Sequence, residues 1–149
     1  MIEVLIVIGI LAILAAVVIV AINPARQFAQ AHNSQRQANV ETILNAIGQN
    51  IADNEGVFTC NGSAYALVAT PTDIKSGASG ADLASCLVPT YVAALPLDPV
   101  GSTSPLCTPA YASATSYDTC YSVSKDATTG RITVAAPDAE LAQSITLTR

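Results

Sequence analysis

The chain has 149 residues, of which 51% are hydrophobic and only 11% charged, with six basic residues against eleven acidic ones and a formal net charge of −5. Phosphate binding needs clustered Lys and Arg, so this composition argues against nucleic acid as a main partner, and no specific nucleic acid is expected. The length fits one modest domain plus an N-terminal segment.

From Val4 to Ile22 there are 19 residues and none is polar. A run of this length can cross a bilayer core as a helix, which takes about 20 residues. It is longer than the roughly 7–15 residues of a signal-peptide core, and no basic stretch precedes it. Glu3 stands just in front of the run, and an acid at such an edge calls for a partner. Asn23-Pro24 then interrupts the pattern. Pro24 removes one backbone donor, so a kink or a local break is expected there. Gly9 is a second candidate weak point, because glycine inside a helix costs about 1 kcal/mol relative to Ala, or else a close-packing site.

The helical pattern resumes at Ala25. Val40, Ile43, Leu44, Ile47 and Ile51 fall on one stripe of an amphipathic helix. Asp53-Asn54-Glu55-Gly56 supplies a stop, with Gly56 expected at C′. The reading is one long helix over about residues 1–54, roughly 80 Å end to end. Residues 1–24 are apolar all round, and residues 25–56 carry one apolar stripe. A body made of residues 57–149 can cover that stripe but is too short to wrap the front half. The front half is therefore expected in lipid or against copies of itself.

Thr70–Asp73 and Ser76–Gly80 read as loops. Ala81–Leu87 reads as a short helix capped by Ser79 or Gly80. Leu95-Pro-Leu-Asp-Pro-Val-Gly101 is a rigid turn, since two prolines fix φ. Tyr117–Val123 and Arg131–Ala135 alternate as strands, joined by a hairpin loop at Lys125–Gly130 in which Gly130 supplies φ > 0. Ser144–Thr148 is a third candidate strand. The expected fold is α+β: a small antiparallel sheet of about three or four strands laid on the second half of the long helix.

Cys60, Cys86, Cys107 and Cys120 all follow the apolar run. Wide spacing without a CxxC pair favours disulfides over zinc, and disulfides place the body in an oxidising space outside the cytoplasm. Four cysteines allow three pairings. Closure of local loops favours Cys60–Cys86 with Cys107–Cys120. Arg26 and Arg36 follow the span and pull the other way, because basic residues beside a span favour the cytoplasmic side.

Signals for catalysis are thin. His32 has no Cys or Asp at ligand spacing and reads as a surface or packing residue. No acid pair suggests general acid–base work, and no Gly-rich phosphate loop is present. No catalytic residue and no cofactor is expected. Aromatic residues are few, and Phe28 alone lies on the long helix before the body begins. Asn61-Gly-Ser63 matches a glycosylation sequon, with a chance match weighed equally.

The acid followed by a bilayer-length Ile/Leu/Val/Ala helix, Ile2-Glu3-Val-Leu-Ile-Val-Ile-Gly-Ile-Leu-Ala-Ile-Leu-Ala-Ala16, resembles the mature N-terminus of type IV pilins and type II secretion pseudopilins. The turn Leu95–Gly101 looks like the LPxDPxG turn of major pseudopilins and of some simple pilins. The resemblance differs in that mature pilins usually start with Phe and place the glutamate two residues deeper, whereas Met1 leads here.

The resemblance implies a homo-oligomeric helical filament of major pilin, acting in adhesion, motility or DNA uptake. It further implies a subunit held in the inner membrane by a single span, handled by a prepilin peptidase with N-methylation, and extracted by an assembly ATPase and platform. The filament core is expected to take in Val4, Leu5, Ile8, Leu11, Leu14 and Val18. Glu3 is expected to meet an N-terminal amine, that of Met1 or of another copy, and so set axial register. The physical ground is that a buried carboxylate costs several kcal/mol unless paired. The plainer alternative leaves Glu3 as a first-turn acid at the membrane surface, favoured by the helix dipole. Asp98 is expected to stabilise its turn by bonding its own backbone, in preference to serving as a calcium ligand as related loops do in major pseudopilins. A type II secretion pseudopilin and a non-polymerising membrane-anchored binding domain are the alternatives.

Overall fold

The computed structural model describes residues 1–103 and 106–149, and in it two helices meet at Asn23. Helix α1 spans Ile2–Ile22 and α2 spans Pro24–Asp53. The ring of a proline disfavours the right-handed helical region for the residue before it. Asn23 takes the left-handed conformation instead (φ 46°, ψ 78°), which Asn tolerates better than most residues with a Cβ. Its Oδ1 accepts the Arg26 N–H at 3.4 Å. Pro24 occupies the first turn of α2, where a missing N–H leaves no bond unmade. The break expected near Pro24 is thus a one-residue joint. Gly9, by contrast, is no break, because α1 runs straight through it. A penalty of about 1 kcal/mol is too small to open a cooperative helix from within.

Helix α2 ends one residue earlier than the sequence suggests. Asn54 is the C-cap, Glu55 takes the left-handed C′ position (φ 57°), and Gly56 (φ 91°) lies beyond it. The Gly56 N–H reaches the Ile51 carbonyl at 2.8 Å, the six-residue bond of a Schellman ending.

The body begins with a two-stranded hairpin, β1 (Thr59–Cys60) and β2 (Ser63–Ala64), whose turn places Asn61-Gly62 in left-handed conformations. It continues through β3 (Thr72–Lys75), α3 (Ala84–Leu87), the short pair β4 (Ser102–Thr103) and β5 (Leu106–Cys107), β6 (Ala110–Ser113), β7 (Ser116–Lys125), β8 (Ile132–Ala136) and β9 (Ile145–Thr148). Strand β7 organises a five-stranded antiparallel sheet with the order β3-β7-β8-β9. Asp118 of β7 pairs with Lys75 and with Ala110, while Ser122 pairs with Asp73 and with Ala135. Strands β6 and β8 therefore share one edge of β7, and β3 takes the other. The β7–β8 loop closes as expected, with Gly130 at φ 73°.

The sheet is wider than the expected three or four strands. Strand β3 lies partly in the stretch read as the Thr70–Asp73 loop, and β6 had no strand signal. Both pair with β7 irregularly, with register shifts between Asp73 and Lys75 and between Tyr111 and Ser113, and each offers one large apolar side chain, Ile74 or Tyr111, too little to show a period. Helix α3 is also shorter than the expected Ala81–Leu87. The Ala81 N–H bonds the Asp73 carbonyl at 2.8 Å, and the Ala84 N–H bonds the Tyr117 hydroxyl at 3.1 Å. Residue 81 is thereby tied to β3, and neither Ser79 nor Gly80 acts as the cap. Leu83 holds that position without a side-chain bond.

One face of α2 packs on β8 and β9. Val40, Ile43, Leu44 and Ile47 are each at most 2% exposed, against sheet residues such as Val123 and Val134. The stripe seen in the sequence is the spine of this core, so α2 belongs to the body as much as to the helix before it.

Candidate functional site

Helix α1 takes no part in that core. Its large aliphatic side chains from Ile2 to Ile19 are between 51% and 76% exposed. The segment Ile2–Ile19 has a mean hydropathy of 3.2 and none of it is buried. At 1.5 Å per residue, α1 is about 32 Å long, close to the roughly 30 Å of a bilayer core. Among the described residues it is the one helix long and apolar enough to cross a membrane, and it lies near the N-terminus. Burying a Val, Leu or Ile side chain is worth about 1.5–3 kcal/mol, so covering this set is worth tens of kcal/mol. The monomer leaves all of that unrealised.

Val4, Leu5, Ile8, Leu11, Leu14 and Val18 are exposed, but so are Ile6, Val7, Ile10 and Ile13 around the rest of the cylinder. The helix has no preferred face, so the chain by itself does not single out those six. Glu3 lies in the first turn and Met1 precedes it, fully exposed. Glu3 joins no ion pair among the described residues. Its carboxylate is thus left open to a group from outside the chain.

The second constellation is a charged cluster on α2. Arg36 is 1% exposed. Its Nε donates to Asp98 Oδ2 at 2.6 Å and its Nη2 to Asp98 Oδ1 at 3.0 Å. Its Nη1 donates to Glu140 Oε2 at 2.8 Å and to Asn33 Oδ1 at 3.0 Å. Burial works against the charged guanidinium, but the bonds to Asp98 and Glu140 outweigh it and hold the proton more tightly than usual. Burial likewise pushes the Asp98 carboxyl up, and Arg36 with the Gly101 and Val100 N–H groups reverses this, leaving it below the usual range. Glu140 follows the same pattern, its burial offset by Arg36 and His32.

Asp98 is where the turn and the helix meet. Its Oδ1 also accepts the Val100 N–H at 2.9 Å and the Gly101 N–H at 2.7 Å. Both oxygens are thus committed to a cation already in the chain and to the turn's own amides. That arrangement is a turn staple and does not suit a calcium ligand. Asn39 fixes the same turn by donating to the Leu97 carbonyl and the Tyr121 hydroxyl, each at 2.9 Å. Burial pushes the Tyr121 hydroxyl up to about 12.

At the other side of the cluster, Asn33 grips the turn after β8. Its Nδ2 donates to the Glu140 carbonyl at 2.7 Å and to Gln143 Oε1 at 2.8 Å, and its Oδ1 accepts the Glu140 N–H at 2.9 Å. Leu141 and Ala142 between them stand at φ 58° and 54°. His32 Nδ1 lies 2.9 Å from Glu140 Oε2, which makes it a half-buried member of this cluster. Arg36 is therefore a structural ion-pair member and not a free charge beside the span. The sequence reading missed Asn33, Arg36 and Asn50 as structural anchors. A signal was present, since these three continue the buried stripe of α2 at helical spacing.

The disulfides are Cys60–Cys86 and Cys107–Cys120, the pairing favoured by loop closure. Asp118 lies close to Cys107 and Cys120, but both sulfurs are in the bond and offer no thiolate. No known protein family, curated protein or solved structure matches the chain in comparison.

Proposed function

We propose that this chain is a structural subunit, a major pilin, of a pilus-like extracellular filament that polymerises through α1. The observation carrying the proposal is the division of labour between the helices: α2 supplies the core of the body, while α1 offers its whole circumference to something else. Before assembly that partner is the inner membrane, and after assembly it is the bundle of sister helices. An apolar rod has no polar face to lose in either setting, so the transfer between them is nearly neutral for its side chains.

Glu3 gives the transfer its direction and register. An acid inside an apolar bundle is tolerated when paired and penalised when not. The N-terminal amine of a neighbouring copy is the partner proposed for it. A prepilin peptidase and an assembly platform are the matching cellular partners. The disulfide-bonded body then forms the outer surface of the fibre, in keeping with an oxidising environment.

Electron microscopy of surface material sheared from producing cells, labelled with antibody against the body, tests the proposal. Labelled fibres are expected. Finding the chain only as a monomer in detergent-extracted membranes would overturn the filament reading and leave a membrane-anchored domain. Glu3→Ala is expected to reduce fibre yield sharply, and an unchanged yield would show that its charge is not needed for assembly.

A further inference from the structure

The first turns of α2 hold a feature that the body does not explain. Phe28 is 66% exposed, although its neighbour Ala29 and the next residue of the buried stripe, Asn33, are already packed against the body. The residues that follow Phe28 on its own side of the helix are Ala31, His32 and Gln35, none of them a large apolar side chain. An isolated large aromatic thus stands at the very start of a face that has no other large apolar side chain. Arg26, two residues before it, is exposed and joins no ion pair among the described residues. The first turn of α2 contains no acid to balance it. A cation there is opposed by the helix dipole, so the position has no intrahelical rationale.

Both residues follow directly on the apolar helix. Phe28 lies six positions past Ile22, at most about 9 Å further along the axis. Its Cα–Cβ bond tilts back toward the helix N-terminus, that is, toward α1. With α1 across the bilayer core, this is the depth of the headgroup layer, where apolar side chains insert and basic ones reach phosphate.

We infer that Arg26 and Phe28 form an interfacial anchor of the unassembled subunit, with Phe28 inserted among lipid headgroups and Arg26 bound to lipid phosphate. This rests on the proposed membrane-bound state of α1. The anchor fixes how far the subunit sits out of the bilayer, and therefore the height at which the body is presented for assembly.

The chain contains no tryptophan, so one introduced tryptophan reports its own surroundings without background. The full chain is reconstituted in vesicles of phosphatidylcholine and phosphatidylglycerol, with bromine placed either near the headgroups or at the chain ends. Phe28→Trp is expected to give blue-shifted emission, quenched more strongly by the shallow bromines than by the deep ones. Arg26→Gln in the same background is expected to weaken that shallow quenching. Leu14→Trp, in a separate chain, reports α1 and is expected to be quenched by the deep bromines. Solvent-like, unquenched emission from position 28 with deep quenching at position 14 overturns the anchor and leaves the proposed state of α1 standing. Absence of quenching at both positions overturns both. Emission at position 28 that becomes blue-shifted only in assembled fibres also overturns the anchor and assigns Phe28 to a contact between subunits.

Discussion

Arg36 and Asp98, 62 residues apart in the chain, close a two-bond ion pair that neither solvent nor the surface reaches. It joins the middle of α2 to the turn at Leu95–Gly101, and Glu140 extends it to the turn after β8. This triad fixes two irregular segments to one helix. Removing one partner leaves an uncompensated buried charge, which typically costs about 3–5 kcal/mol. Arg36→Met is expected to destabilise the body by that order and Asp98→Asn by less, because Arg36 keeps its bond to Glu140, both measured by urea denaturation of the protein in mild detergent. The double variant is expected to lose less than the sum of the two, because each single change has already broken the same pair.

The pair also sets an acid limit to stability. Asp98 and Glu140 both have folded-state pKa values held below their ordinary ones. A depressed carboxyl contributes stability that is present above its unfolded value, about 4, and is lost as pH falls through the lower folded value. The unfolding midpoint is thus expected to be insensitive to these groups near neutrality and to drop as the pH falls below about 4. Asp98→Asn and Glu140→Gln should each flatten that acid limb, as followed by circular dichroism melts across pH.

Asn50 is the second buried polar anchor on α2, 2% exposed. Its Nδ2 donates to the Thr59 carbonyl at 3.0 Å and to the Cys86 carbonyl at 3.2 Å, and its Oδ1 accepts the Thr59 N–H at 2.9 Å. One side chain thereby binds the backbone at both ends of the Cys60–Cys86 disulfide. Asn50→Leu strands these groups and should cost about 2–4 kcal/mol. The specific mark of the loss is faster hydrogen exchange at the Thr59 amide, with exchange at the centre of β7 changing only by the global amount.

The disulfides close loops of 26 and 13 residues. By the chain-entropy relation each is worth about 3 kcal/mol. Replacing Cys60 and Cys86 by Ser is expected to lower the denaturation midpoint at least as far as replacing Cys107 and Cys120, since the longer loop loses more. The reverse order would point to strain or residual structure rather than loop entropy.

How much of this could be read beforehand depended on range. The two helices, the joint at Asn23-Pro24, the buried stripe and the Gly130 hairpin all rest on signals within a few residues, and they were legible. So was the disulfide pairing, because local loops are the ones that close. The charged cluster was not, because its members come from α2, a turn 62 residues on and another about 104 residues on, and no local pattern links them. Strands β3 and β6 escaped because each is only four residues long and carries a single large apolar side chain, Ile74 or Tyr111, too little to display a two-residue period. On α1 the sequence and the structure give the same answer: a rod without a face, whose six expected contact residues are no more exposed than their neighbours.

The most direct test of the account is therefore contact between copies of α1. A photo-crosslinking amino acid at Leu11, midway along the apolar helix, is introduced in producing cells and activated by light. A ladder of dimers, trimers and higher species is expected, with the crosslinked peptides mapping to α1 of sister chains. Capture of lipid alone, with the protein remaining monomeric under conditions where surface fibres form, would contradict the proposal that this helix builds a filament.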